Sequence, residues 1–142
     1  MEVALKDLLV AAGVGVFESA SAADWGIWIG KEPKLPDQAV VIASSGGQAP
    51  DPKWLLDFPS YQIRIRGSKG NYASAKAKAK DVKDVLLGIQ SQDINGERLV
   101  SITMSSDIAF IGYDENDRPH FSLNFRLITE PAASALSNRE AL

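Results

Sequence analysis

The chain holds one histidine and no cysteine, which removes most of the usual catalytic machinery at once. A Ser-His-Asp site would have to use His120, and no Gly-x-Ser-x-Gly elbow accompanies it; at the mouth of a hairpin, His120 reads as a surface residue. Without cysteine there is no thiolate nucleophile, no thiolate zinc site and no disulfide framework. A reducing setting, or indifference to redox, is expected. Asp107, Asp114, Glu115 and Asp117 stand close in sequence, and Asp114-x-Asn116-x-Arg118 has the spacing of an acidic calcium loop. Pro119 occupies the place where that loop needs glycine, and Phe125 the place where it needs a carboxylate. The segment therefore reads as a polar hairpin loop whose Asp and Asn side chains bond their own backbone, with a metal-dependent hydrolase built on Asp107, Asp114 and Asp117 as a remote alternative. Arg66-Gly67-Ser68-Lys69-Gly70 precedes a helix, where phosphate could meet free N–H groups, yet it matches neither the P-loop nor the dinucleotide pattern. No catalytic, metal-binding or cofactor-binding residue is assigned, no cofactor is expected, and the chain reads as a non-enzyme.

The 15 Lys and Arg residues against 18 Asp and Glu give a net charge of −3, the wrong sign for a protein whose main work is coating nucleic acid. Basic residues still cluster: Arg64, Arg66, Lys69, Lys76, Lys78, Lys80 and Lys83 stand against Asp81 alone. At period 3.6 the lysines fall opposite the small and apolar residues, which makes them the wet face of a helix. Nucleic-acid binding through this cluster stays a second reading, one that wants aromatic side chains among the cations; only Tyr61 and Tyr72 flank it.

The residues that most need explaining lie on a strand. From His120 to Ile128 the chain alternates with period two, so Phe121, Leu123, Phe125 and Leu127 share one face and His120, Ser122, Asn124 and Arg126 the other. A candidate partner strand, Tyr61 to Arg66, directs Gln62, Arg64 and Arg66 the same way. A solvated sheet face is ordinarily Lys, Glu and Thr, whereas this one is a row of fork-shaped donors suited to carboxylates and carbonyls. It meets either water or another molecule.

Several elements must position that row. Residues 2–17 carry Leu5, Leu8, Leu9, Ala12 and Val16 on one helical stripe, weakened at its end by Gly13 and Gly15. Residues 25–29 and 38–43 read as strands, the second apolar enough to be covered on both sides. Residues 31–36 and the Ser/Gly/Pro-rich stretch 44–52 read as loops, the latter mobile. A strand over 60–66 is followed by a helix over about 71–88, capped by Asn71 or Ser68; its stripe of Tyr72, Ala75, Ala79, Val82, Leu86 and Ile89 allows close approach to a sheet. Asn95-Gly96 marks a turn. A strand over 99–105 should face Val100, Ile102 and Met104 inward, and a hairpin of residues 108–113 and 120–128 closes the pattern. Because the final strands follow one another without helices, the expected class is α+β: a mixed, mostly antiparallel sheet of about four to five strands, with the N-terminal helix and the 71–88 helix packed on one face. Residues 1–130 read as a single domain, long enough to bury roughly 68–70% of its unfolded surface, and residues 131–142 as a tail that is flexible or ordered by a partner. The apolar stretch 8–17 followed by Ser19-Ala20-Ser21-Ala22-Ala23 has the outline of a secretory leader, but Glu2 and Asp7 stand where the positive region belongs. With no run long enough to span a bilayer, a soluble, unprocessed chain without membrane partners is expected.

Taken together, Pro59-Ser60-Tyr61-Gln62-Ile63-Arg64-Ile65-Arg66-Gly67, the helix starting near Tyr72, Val100-Ser101-Ile102, Phe110-Ile111-Gly112-Tyr113-Asp114-Glu115-Asn116-Asp117-Arg118-Pro119 and Phe121-Ser122-Leu123-Asn124-Phe125 resemble the tail terminator proteins of phages with long non-contractile tails, also called tail completion or minor capsid proteins. The resemblance spans residues 59–128 and the N-terminal helix; residues 25–54 carry none of its motifs. It implies a structural virion protein: a small α+β subunit closing into a homohexameric ring on the head-proximal end of the tail tube. Such a ring ends tube polymerisation and joins the tail to the head. Its partners would be itself, the tail tube protein and the head completion or neck protein, with DNA passing through unread. Gln62, Arg64, Arg66, Asn124 and Arg126 are then candidates for a subunit contact or the channel lining, and Asp114, Glu115, Asp117 and Arg118 for contacts along the axis, as is the 44–52 loop. Another neck, connector or tube component is the alternative reading.

Overall fold

A computed structural model describes residues 1–142. Two helices, α1 (Glu2–Ala11) and α2 (Tyr72–Leu86), accompany eight strands: β1 (Val16–Phe17), β2 (Gly26–Ile29), β3 (Ala39–Gln48), β4 (Phe58–Arg66), β5 (Gln92–Ile94), β6 (Glu97–Met104), β7 (Ala109–Tyr113) and β8 (Pro119–Glu130). All eight strands join one sheet in the order β1-β2-β3-β4-β8-β6-β5, with β7 also paired to β8. The α+β class holds, but the sheet is larger than the four to five strands expected.

The extra strands come from short pieces that carry no periodic signal. α1 stops at Ala11, and Gly13 turns the chain at φ +77°, so Val16 leaves the helical stripe and becomes part of an edge strand. β1, β2 and β3 run parallel to one another, which corrects the inference that neighbouring strands without an intervening helix must be antiparallel. Residues 30–38 cross over as an irregular loop instead. Likewise, the stretch read as a mobile loop from residue 44 is strand as far as Gln48, paired antiparallel to β4 through Gly47↔Pro59 and Gln48↔Phe58. Gly47 makes this possible: at φ +121° its missing Cβ would lie 2.7 Å from the Ser60 nitrogen.

The central strands follow the alternation of their residues. Across β4 and β8 the register pairs Ile63 with Leu123, Ile65 with Phe121 and Tyr61 with Phe125, and these side chains are buried. Leu5 and Leu9 of α1 and Ala75, Ala79, Val82 and Leu86 of α2 pack on them from one side, in a single core that includes Ile27, Val40 and Ile42. Both helices therefore cover the same face. α2 is capped by Asn71, whose side chain accepts from the Ser74 N–H at 3.1 Å. It lies so close to β4 that a Cβ on Gly67 would sit 2.8 Å from that of Ala75. β6 departs from simple alternation. A register shift between Leu99 and Ser101 opposite β8 lets Leu99 and Ile102 both enter the core, while Val100 is only half-buried.

Residues 131–142 turn back toward the segment before β4. The Leu55 N–H donates to the Glu140 carbonyl and the Glu140 N–H to the Lys53 carbonyl, both at 2.8 Å, and Arg139 Nη1 donates to Asp57 Oδ1 at 2.7 Å. No helix is long and apolar enough to cross a membrane.

Candidate assembly surface

The face of the sheet away from the helices is laid out in rows fixed by strand register. One row is Ala43, Gln62 and Asn124; the next is Val41, Arg64 and Ser122; a third pairs Ser60 with Arg126 and Thr103. Gln62 Nε2 donates to Asn124 Oδ1 at 3.4 Å, so the two amides form a bridge across the strands. Arg64 and Arg126 are exposed and lie on either side of that bridge, two rows apart, or about 13 Å along the strand direction. Neither guanidinium has a carboxylate partner, although every other arginine of the chain has at least one. Two unpaired guanidinium forks at fixed rows of the ladder are suited to a carboxylate, a carbonyl or a phosphate.

Arg66 does not belong to that open row. Its place in the register is on the same face, opposite Ala39 and His120, yet it is only 2% exposed. Residues 30–38 fold over it: Arg66 Nε donates to the Asp37 carbonyl and Nη2 to the Pro36 carbonyl, both at 2.8 Å, with Glu32 at 3.6 Å from Nη1. Burial, reinforced by the nearby Arg118 charge, lowers the Arg66 pKa.

Arg118 is a second correction. Expected at the tip of a contact hairpin, it is buried and turned inward, donating from Nη1 to the Lys34 carbonyl and from Nε to Asp114 Oδ2, both at 2.8 Å. His120, read as a surface residue, is buried too, with Nε2 3.0 Å from Asp114 Oδ2 and Nδ1 3.7 Å from Glu32. Burial by itself would raise the Asp114 carboxyl, but hydrogen bonds with His120, with the backbone N–H groups of Arg118 and Asn116, and with the Arg118 guanidinium together hold it well below the usual carboxylate range. These side chains form a clamp: Arg66 from β4, His120 from β8 and Arg118 from the turn just before β8, bound through backbone carbonyls and carboxylates to the 30–38 loop and to Asp114. Of Asp114, Glu115, Asp117 and Arg118, the four turn residues expected to make contacts along the axis, only Glu115 and Asp117 are exposed.

Sequence reasoning missed this clamp, although the Asp114–Arg118 spacing was a signal. A five-residue turn with Asp first and Arg last can return the cation to the carboxylate. The Arg66 contacts are to carbonyls of a proline-bearing loop far along the chain, and no periodicity announces them.

The basic cluster does not assemble into a patch either. Arg66 is buried, Lys78 Nζ donates to the Val14 carbonyl at 2.8 Å, Lys80 pairs with Asp84 at 2.6 Å and Lys83 with Asp107 at 2.9 Å. Arg64, Lys69 and Lys76 remain exposed and without a carboxylate partner, one on β4, one in the turn after it and one on α2. Asp107 is thus bound to α2 while Asp114 is bound inside the clamp, and no three His, Asp or Glu side chains converge as metal ligands.

What the surface defines is a structural scaffold with an arginine-bearing sheet face and a locked loop above it. The family model for the bacteriophage tail terminator protein matches residues 8–131. The chain belongs to the bacteriophage tail terminator family, and is a structural component of the virion, at the tail. No curated protein matches it. Among solved structures, a chain from the virion of a native gene transfer agent particle superposes with a TM-score of 0.70 at 21% identity, over 92% of this chain and 95% of that one. A second solved chain does so with a TM-score of 0.50 at 11% identity, over 91% of this chain and 98% of its own length. Both likenesses are of fold.

Proposed function

We propose that this chain is a non-catalytic subunit of a ring, a hexamer, that seats on the head-proximal end of the tail tube, ends its growth and offers the neck protein a surface on which to join. The single observation that carries the reading beyond family membership is the pair of unpaired guanidinium groups, Arg64 and Arg126, flanking the Gln62–Asn124 bridge. A guanidinium held at a fixed row with no internal partner keeps its fork of donors free for a carboxylate, carbonyl or phosphate of another molecule. The exposed Glu115 and Asp117 at the hairpin turn supply opposite charge for contacts along the ring axis. DNA crosses such a ring without being read, and a row of arginines on the channel wall would meet its phosphates as point contacts independent of sequence.

Reversing both charges, Arg64→Glu with Arg126→Glu, tests this. These exposed side chains contribute little to folding, within about 0.5 kcal/mol each, so the variant is expected to fold as the wild type does. It is also expected to lose at least tenfold in its ability to complete particles, read as infectious titre against protein present. A folded double variant with undiminished particle completion would remove the sheet face from the function.

A tube subunit of related architecture is the second reading. It differs in one respect that is easily seen, since a tube protein grows into filaments on its own and a terminator does not.

A further inference from the structure

A ring built from identical copies needs two different patches on each copy, because head-to-tail contacts are heterologous. The chain carries two exposed apolar patches at separate edges of its sheet. The first is on β7. This strand pairs only with β8, and Phe110, Ile111 and Tyr113 are 44, 50 and 52% exposed. Phe110 stands edge-on to Tyr72 of α2 and to Tyr113, with ring centroids 5.0 and 5.5 Å apart, and leans on the buried Phe121 at 5.2 Å. The aromatic ledge is therefore already ordered and loses little side-chain freedom on docking. The second patch is on β1, the terminal strand of the sheet, where Val16 and Phe17 are exposed; α1 packs against this strand, and Val10 near its end is exposed as well.

We propose that the subunits of the ring join by seating the β7 ledge of one copy, Phe110, Ile111 and Tyr113 with Tyr72, against the β1 patch of the next, Val16 and Phe17 with Val10. The proposal rests on the ring reading above. Charge favours a second copy as the occupant. Beside the ledge, α2 presents Lys76, one turn from Tyr72, exposed and without an ion-pair partner, whereas Lys80 and Lys83 are neutralised by Asp84 and Asp107. Beside the β1 patch stands Glu18, also exposed and unpaired, while the nearby Lys6 is neutralised by Asp7. The free charge on the α2 side of the ledge, Lys76, is thus opposite in sign to Glu18 beside the β1 patch, where Lys6 lies over the Phe17 ring at 4.6 Å; the free carboxylates Glu115 and Asp117 stand at the other end of the ledge, in the turn beyond Tyr113. The contact is made by side chains and not by extending the sheet. A register shift between Phe110 and Gly112 bulges β7, and a bulged edge does not template a further strand.

The absence of cysteine gives a clean test. The double variant Ile111→Cys with Val16→Cys, assembled and treated with a short bismaleimide, is expected to give a ladder of covalent oligomers ending at the size of the ring. Each single variant alone should give none, and an equal mixture of the two singles only dimers. Ile111→Asp is expected to lower the fraction of protein in rings at least tenfold while its circular dichroism and melting stay those of the wild type. Rings that persist in Ile111→Asp, with no ladder from the double cysteine variant, would overturn the seam and leave the ring reading standing. Dimers from Ile111→Cys alone would overturn it in favour of a two-fold contact. Wild-type protein that forms no ring by electron microscopy, alone or on tubes, would overturn both.

Discussion

Asp114 receives more hydrogen bonds than any other carboxylate of the chain: from the N–H groups of Asn116 at 2.9 Å and Arg118 at 3.1 Å, and from Arg118 Nε at 2.8 Å, with His120 Nε2 at 3.0 Å. Its charge is what the clamp is built around, and that gives the residue a pH signature. The folded-state pKa lies below the ordinary carboxylate value, so the stabilisation it provides is present in full above the unfolded value near 4. That contribution is lost as pH falls from there toward the folded value. Asp114→Asn keeps the shape but cannot accept at both oxygens or balance the Arg118 guanidinium, and is expected to cost about 2 kcal/mol at neutral pH. Urea unfolding at pH 7 and at pH 3 checks the sign: the gap between wild type and variant should narrow on the acid side. A gap of equal size at both pH values would mean that the carboxylate charge is not what holds the turn.

At the scale of elements, α2 and β4 approach closely because Gly67 and Ala75 are small where they face one another. Gly67→Val is expected to push the helix off the sheet and cost about 3 kcal/mol, as overpacking of a well-filled contact does; thermal unfolding measures it, and a change below 0.5 kcal/mol would show that the contact yields freely. This part of the fold was legible in the sequence, because the Tyr72 to Leu86 stripe and the alternation of Phe121, Leu123, Phe125 and Leu127 are periodic signals set by burial on one side. The β4–β8 partnership, with Gln62 against Asn124, was legible for the same reason. What could not be read were features without a period. β1 is a two-residue strand recruited by its neighbour, and the parallel passage from β2 to β3 depends on a loop held by Arg66, whose hydrogen-bond partners lie 29 and 30 residues away in sequence. The bulges in β3, β6 and β7 each break the alternation on which sequence reasoning depends. Of the candidate surface, Gln62, Arg64, Asn124 and Arg126 stand where the alternation put them. Arg66 and Arg118 do not, because a guanidinium can be buried when carbonyls meet it, and only the folded chain brings those carbonyls near.

For the whole molecule, a single sheet with helices on one side, and the 30–38 loop over only one end of the other, leaves the rest of that side and the lateral edges uncovered. The helix-covered side holds the apolar core. The opposite side carries Arg64 and Arg126, and the edges carry the aromatic ledge and the β1 patch. A lone subunit thus leaves both charge and apolar area without an internal partner, and the proposed ring seated on the tube would satisfy both. The most direct test is the length distribution of tail tubes grown by the tube protein in the presence and absence of this chain, viewed by electron microscopy. Its addition is expected to stop growth and to leave a ring with a central hole at one end of each tube. Tubes that grow to the same lengths with bare ends would contradict the ring reading.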